Sequence, residues 1–148
     1  MYTLGHLEAI EKGIEMKKRM LIGKQVKRNR LPSLAKLTRK LDRVFSAWIR
    51  GRDAPDNGRG PCYTCTRMAI LECSHFISRQ HRSTRWDERN VHGSCSWCNR
   101  WQHGNLAEYY VRLVRDYGQS AVDELLALKR KTVKHSRADL EAMIEQYK

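Results

Sequence analysis

Cys62-Tyr63-Thr64-Cys65 and Cys95-Ser96-Trp97-Cys98 form two Cys-x-x-Cys pairs with 29 residues between the inner cysteines. Zinc takes four thiolates tetrahedrally, and each such turn sets two sulfurs along one edge of that tetrahedron. Cys62, Cys65, Cys95 and Cys98 therefore predict one closed structural Zn2+ site, with a redox pair as the competing reading. Cys73, the fifth cysteine, reads as a small half-buried apolar residue, with a substitute ligand as the alternative.

Between and after the pairs lie His75, Asn90, His92 and Asn99. Hydrolysis of a phosphodiester needs activated water, and a neutral imidazole titrates near working pH, so His75 is the candidate general base. Asn90, on a neighbouring strand, could fix the direction of that ring. His92 would share its face and is a second candidate. Asn99 could offer a neutral oxygen to a divalent Mg2+ or Mn2+ ion that keeps most of its waters, and the ion would stabilise charge on the scissile phosphate. His103 sits before Gly104-Asn105 and reads as a helix boundary.

Such chemistry needs a polyanion, and the charge supplies the means to hold one. The 148 residues carry 29 Lys and Arg against 16 Asp and Glu, for a net charge of +13. Residues 16–52 hold 13 basic side chains and one acid, Asp42, whereas residues 105–148 hold 8 basic and 7 acidic groups. So lopsided an excess points to phosphates, whose neutralisation releases condensed counterions. Lys36, Arg39, Lys40, Arg43, Arg50 and Arg52 are candidate DNA contacts, as are Arg79, Arg82 and Arg85 in the segment between the pairs.

Leu4, Leu7, Ile10 and Ile14 recur at helical spacing over residues 4–22, and Gly23 to Pro32 reads as a linker or basic arm. From Ser33 as N-cap, Leu34, Leu37, Leu41, Val44, Phe45, Trp48 and Ile49 trace one face of a long amphipathic helix, with the basic residues opposite. Residues 53–61 are a turn-rich break. Met68 to Phe76 and Asn90 to Ser94 predict two strands, and a helix follows from about Cys98 through Trp101. Three C-terminal helices are expected from capping boxes at Asn105/Glu108, Ser120/Asp123 and Ser136/Asp139, with Gly118 closing the first. No apolar run could span a membrane. Residues 1–8 lack a charged segment followed by an apolar one, so the expectation is a cytoplasmic protein with reduced cysteines.

A strand ending in histidine, a second strand with asparagine, and a helix bearing asparagine after Cys-x-x-Cys resemble the HNH or ββα-metal layout. More specifically, residues 34–125 resemble the NinG (Rap) family of lambdoid phage recombination proteins. The matching stretches are Lys40–Ser46, Ile49–Ala54, Cys62–Cys65, Ser74–Arg79, Arg85–His92, Cys95 to Cys98-Asn99, and Gly104-Asn105-Leu106 with Tyr109. The resemblance implies a structure-selective endonuclease of branched recombination intermediates, Holliday junctions and D-loops, in the host cytoplasm of a phage or prophage. By position it makes His75 the base, Asn90 the positioning residue and Asn99 the metal ligand. Many HNH proteins carry Asp before the histidine; this chain has Ser74, with Glu72 and Asp87 as candidate substitutes.

The expected fold is α+β: a zinc-stapled ββα-metal core over residues 59–104, a basic helical region over 1–58 and a helical extension over 105–148. Two symmetric cuts at a four-way junction would call for a homodimer. A non-catalytic zinc-dependent DNA-binding protein and a less selective HNH nickase are the alternative functions.

Overall fold

A computed structural model describes residues 4–28 and 31–148. The chain divides into two compact units, residues 1–33 and 34–148. The first is one helix, α1 (Leu4–Arg28). Helical structure thus continues through the expected arm as far as Arg28, because nothing between Gly23 and Arg28 is a strong breaker in company; residues 29 and 30 lie outside the described residues.

The second unit begins with α2 (Leu34–Asp53), which buries Leu37, Leu41, Phe45 and Ile49. Their four-residue spacing stacks them along one stripe. That stripe packs with Leu140, Ile144 and Tyr147 at the other end of the chain, and with Trp86 and Val91. The Tyr147 ring meets Phe45 edge-on at 4.8 Å between centroids, and its hydroxyl donates to Glu88 Oε1 at 3.1 Å. Leu34, expected on the stripe, lies at its open end and is exposed.

A three-stranded antiparallel sheet follows, in the order β1 (Arg59–Pro61), β2 (Met68–His75), β3 (Val91–Cys95). β2 and β3 lie where the sequence placed strands; β1 falls in the stretch read only as turns. The pairing sets His75 opposite Val91, Ser74 opposite His92 and Leu71 opposite Cys95. Gly93 leaves room for the Leu71 side chain of β2 and for the end of α2: a Cβ there would come within 2.7 Å of Leu71 Cδ1 and 3.1 Å of Asp53 Cβ. The Asp53 carboxylate accepts the Gly93 N–H at 2.7 Å.

After β3 comes a wide helical turn, Trp97–Trp101, in which Gln102 N donates to Trp97 O, five residues back. The three C-terminal helices are α3 (Leu106–Tyr117), α4 (Gln119–Lys129) and α5 (Arg137–Gln146). Only the Ser136/Asp139 capping box forms. Asn105 takes a left-handed backbone (φ 48°) with its amide turned to Cys98 Sγ, and Ser120 falls inside α4. Gly118 closes α3 as expected, at φ 82°, its N–H donating to Val114 O. Among the described residues no helix is long and apolar enough to cross a membrane.

Leu41 is wholly buried in the α2–α5 contact. Leu41→Ala should cost about 2–5 kcal/mol of unfolding free energy, read as a lower urea midpoint; an unchanged midpoint would show that α5 does not depend on this stripe.

Candidate active site and metal centre

The four cysteines of the two pairs converge. Their sulfurs all lie within 4.8 Å of one another, and Cys65 Sγ stands 3.8 Å from Cys95 Sγ. A tetrahedron with bonds of about 2.3 Å has edges of about 3.8 Å, so the cluster could hold a zinc ion. The donor set fits thiolates: Cys95 N–H donates to Cys62 Sγ at 3.2 Å and Asn105 Nδ2 to Cys98 Sγ at 3.9 Å. Burial followed by the neighbouring thiols pushes Cys98 up to about 12. Four thiolates this close need a cation to stay ionised together. Cys73 stands outside the cluster.

A second feature is a cavity of about 480 Å3 walled by His75, Asn99, Asp42, Cys73, Arg79 and His103 among others. His75 closes β2 and enters it. Its Nε2 lies 3.1 Å from the Arg85 carbonyl oxygen. A carbonyl only accepts, so Nε2 carries the proton and Nδ1 keeps a lone pair. Burial, then the charges of Arg79 and Arg85, hold this imidazole below its ordinary pKa. Asn99 Nδ2 donates to Glu72 Oε2 at 2.8 Å, which leaves Oδ1 as the atom able to meet a cation. Arg100 pairs with the same carboxylate. Partial burial opposes ionisation of Glu72, but the Arg100 and Asn99 hydrogen bonds hold it below the usual carboxylate range.

Asn90 does not touch the His75 ring. It lies in a short turn, Glu88–Asn90, ahead of β3 and is fully buried. Its Oδ1 accepts from Ile77 N at 2.7 Å, and its Nδ2 donates to the carbonyls of Ile77 (3.0 Å) and Thr84 (2.9 Å). It staples the loop whose Arg85 carbonyl holds His75. Arg85 itself grips Asp42 with two hydrogen bonds, 2.9 and 2.6 Å, and reaches the Arg79 carbonyl at 3.1 Å. Its guanidinium is thus engaged by three hydrogen bonds within the fold. Arg52 is likewise engaged, with Asp53 and the Val91 carbonyl, over the Trp48 ring.

His92 faces away from this cavity. Strand alternation puts it with Ser74 on the other side of the hairpin from His75 and Val91. Tyr109 donates its hydroxyl proton to the Ser74 carbonyl and so accepts from His92 Nδ1 at 3.2 Å; Tyr117 then donates to Nε2 at 3.0 Å. Tyr63 stacks on the ring at 3.8 Å. Burial and the Arg52 charge push His92 down to about 4. Asp87, a candidate carboxylate substitute, instead caps the turn before β3 and pairs with Arg89. Of the other candidate contacts, Lys36, Arg39, Lys40 and Arg43 are exposed on α2, and Arg79 and Arg82 on the loop; Arg50 donates to Ser46. Lys36, Arg39 and Arg43 share a second cavity with Asp42.

His103 is the cavity residue that sequence reading passed over. Residues 103–105 are all left-handed (φ 49°, 93° and 48°), costly for a histidine. The one sequence signal was its four-residue spacing from Asn99, one helical turn, hidden by the Gly104-Asn105 boundary.

Two outcomes follow from this geometry. The chain should bind one zinc ion, and Cys95→Ser should lose both the ion and the cooperative unfolding transition, measured by metal analysis and circular dichroism. A folded metal-free protein would contradict this. For His92, the unfolded state takes up a proton near pH 6.5 and the folded state only near 4. Stability from this residue is complete above pH 6.5 and falls as pH drops towards 4, by about 3 kcal/mol. His92→Gln should lack that loss relative to the parent chain in urea titrations across the window; equal pH slopes would refute the assignment.

Comparison with known proteins agrees with the sequence motifs. The family model described as Bacteriophage Lambda NinG protein matches residues 6–148. The ninG proteins of Escherichia phage 933W and Escherichia phage lambda are 34% and 33% identical to the chain over 93 residues. That of Salmonella phage P22 is 33% identical over the same length. In each case the match covers 59% of this chain but only 43% or 42% of the relative, so the matched region is less than half the length of those proteins. No solved structure matches. With the family model covering nearly all of its length, the chain belongs to the NinG family of phage proteins.

Proposed function

We propose that the chain is a metal-assisted endonuclease that cuts branched DNA, built on an HNH-like ββα-metal core. The observation that carries this reading is His75: its Nε2–H is fixed on the Arg85 carbonyl while Nδ1 stays unprotonated in a cavity it shares with Asn99. That is the state a general base needs, and the ring's lowered pKa keeps it so at neutral pH. β2, β3 and the 97–101 turn supply the hairpin and helical piece of the ββα arrangement.

A divalent cation, Mg2+ or Mn2+, would supply charge stabilisation at the phosphate and the leaving oxygen. Asn99, on the cavity wall, would hold it through Oδ1, its Nδ2 being taken by Glu72. His75 Nδ1 takes the proton of the attacking water. The Arg85 carbonyl and the Asn90 staple prevent the ring from turning. Lys36, Arg39, Lys40 and Arg43 hold duplex arms by phosphate contacts, which position without reading sequence. Two such chains give the two cuts that a four-way junction requires.

One observation favours a second reading, a zinc-dependent DNA-binding protein without chemistry. The carboxylate on the cavity wall, Asp42, is engaged by Arg85 and by Trp86 Nε1 at 3.1 Å, and Ser74 stands on the opposite face of the hairpin. The assay that separates them is cleavage of a synthetic four-way junction and of linear duplex with Mg2+ or Mn2+. The junction should be cut, and His75→Ala should lower the rate by about 100-fold or more. The acid limb of the pH–rate profile should lie below the ordinary histidine value, because His75 must lose its proton to act and does so at lower pH than usual. No cleavage with either metal leaves the binding reading; equal cutting of both DNAs makes the protein a nickase of low selectivity.

A further inference from the structure

We propose that Trp97 and Trp101 form a stacking platform for unpaired nucleobases beside the His75–Asn99 cavity. This rests on the nucleic-acid reading above and deepens it by naming how a branch would be told from continuous duplex.

The chain has four tryptophans, and they divide sharply. Trp86 is buried and hydrogen-bonded to Asp42, and Trp48 packs edge-on against Tyr147. Trp97 and Trp101 are 53% and 73% exposed. They stand four residues apart on one helical turn, a spacing that returns to the same face. Asn99, between them, lines the cavity with His75.

The turn is rigid for reasons independent of the indoles. Cys98 within it belongs to the thiol cluster, Gly104 N donates to Cys98 O at 2.8 Å, and Arg100 is tied to Glu72. An aromatic ring held this way gives up little freedom on meeting a ligand. More than half of each indole is nonetheless left in water.

The surrounding charge selects the occupant. Residues 89–107 contain Arg89 and Arg100 and no Asp or Glu, Arg79 and Arg82 are exposed on the neighbouring loop, and the whole chain carries +13. A self-association surface would be poor in charge at its centre. Every base presents a π-face, so stacking tolerates any sequence. Paired bases inside a duplex cannot reach the indoles; bases splayed at a branch can.

The test uses the zinc-loaded full chain without any divalent cation, so that binding is read apart from cleavage. Indole fluorescence and affinity are measured with a short oligothymidylate, a synthetic four-way junction and a linear duplex. Oligothymidylate should quench the parent protein. The double variant Trp97→Leu/Trp101→Leu should bind it and the junction about tenfold more weakly, with duplex affinity within about twofold. Trp97→Phe/Trp101→Phe, which keeps the rings, should stay within about threefold of the parent. No quenching, unchanged affinity in the leucine variant, or equal loss on all three DNAs overturns the platform. So does loss of self-association in sedimentation with oligonucleotide binding intact, which would assign the surface to a second copy. Failure to cleave DNA in the separate metal assay would sink the nuclease reading and leave this comparison standing.

Discussion

The convergence of four sulfurs is the constraint on which the candidate site depends. Cys62 and Cys65 come from the loop joining β1 to β2, Cys95 ends β3, and Cys98 sits in the turn that follows. Bringing them together fixes where that turn leaves the sheet, and with it the place of Asn99. The β2–β3 pairing fixes His75 against Val91 from the other direction. A three-stranded sheet this small has too little apolar surface to hold such a geometry unaided. A metal cross-link at the four cysteines would close it in the way a larger core does.

A second constraint acts on the orientation of His75. The Asp42–Arg85 pair joins residues 43 positions apart, with side chains 30% and 19% exposed. Fully exposed pairs contribute little, but a two-pronged, half-buried pair with an added Trp86 hydrogen bond is better placed. Its value here is positional. It pins the loop whose carbonyl receives His75 Nε2–H, and Asn90 pins the same loop from the other end. The acid that would look ready to meet a metal is thus used to aim a histidine.

Periodic features were legible in the sequence because they are local. The α2 stripe, the β2 and β3 strands, the Ser136 cap, the Gly118 stop and the paired cysteines all follow from spacing alone. The roles of charged and polar side chains were not legible in the same way. Arg85 read as a surface cation because its partner, Asp42, is 43 positions away, and Arg52 because its reach to the Val91 carbonyl follows from tertiary packing. Asn90 read as a companion of His75 because both lie near one place, yet its amide serves Ile77 and Thr84. His92 was put on the face of Asn90, but Asn90 precedes the strand and alternation turns His92 into a box of tyrosines. Asn105 looked like a cap until its left-handed backbone turned the amide towards sulfur. Sequence shows the neighbourhood; which atom faces which is decided by pairings that reach across as many as 44 positions.

The docking of α5 on α2 has a consequence for biosynthesis. Every ligand of the sulfur cluster has been made once Cys98 leaves the ribosome, so the sheet and its turn can close early. Trp86 and Val91 can cover part of the α2 stripe at that stage, but its remaining cover, Leu140, Ile144 and Tyr147, comes almost a hundred residues after Ile49. At bacterial elongation rates that is roughly 5–20 s with the α5-facing side of α2 open to water. During this interval the nascent chain is a closed sulfur cluster attached to a partly uncovered, highly cationic helix. That is the form in which chaperones, or the messenger being translated, would first encounter it.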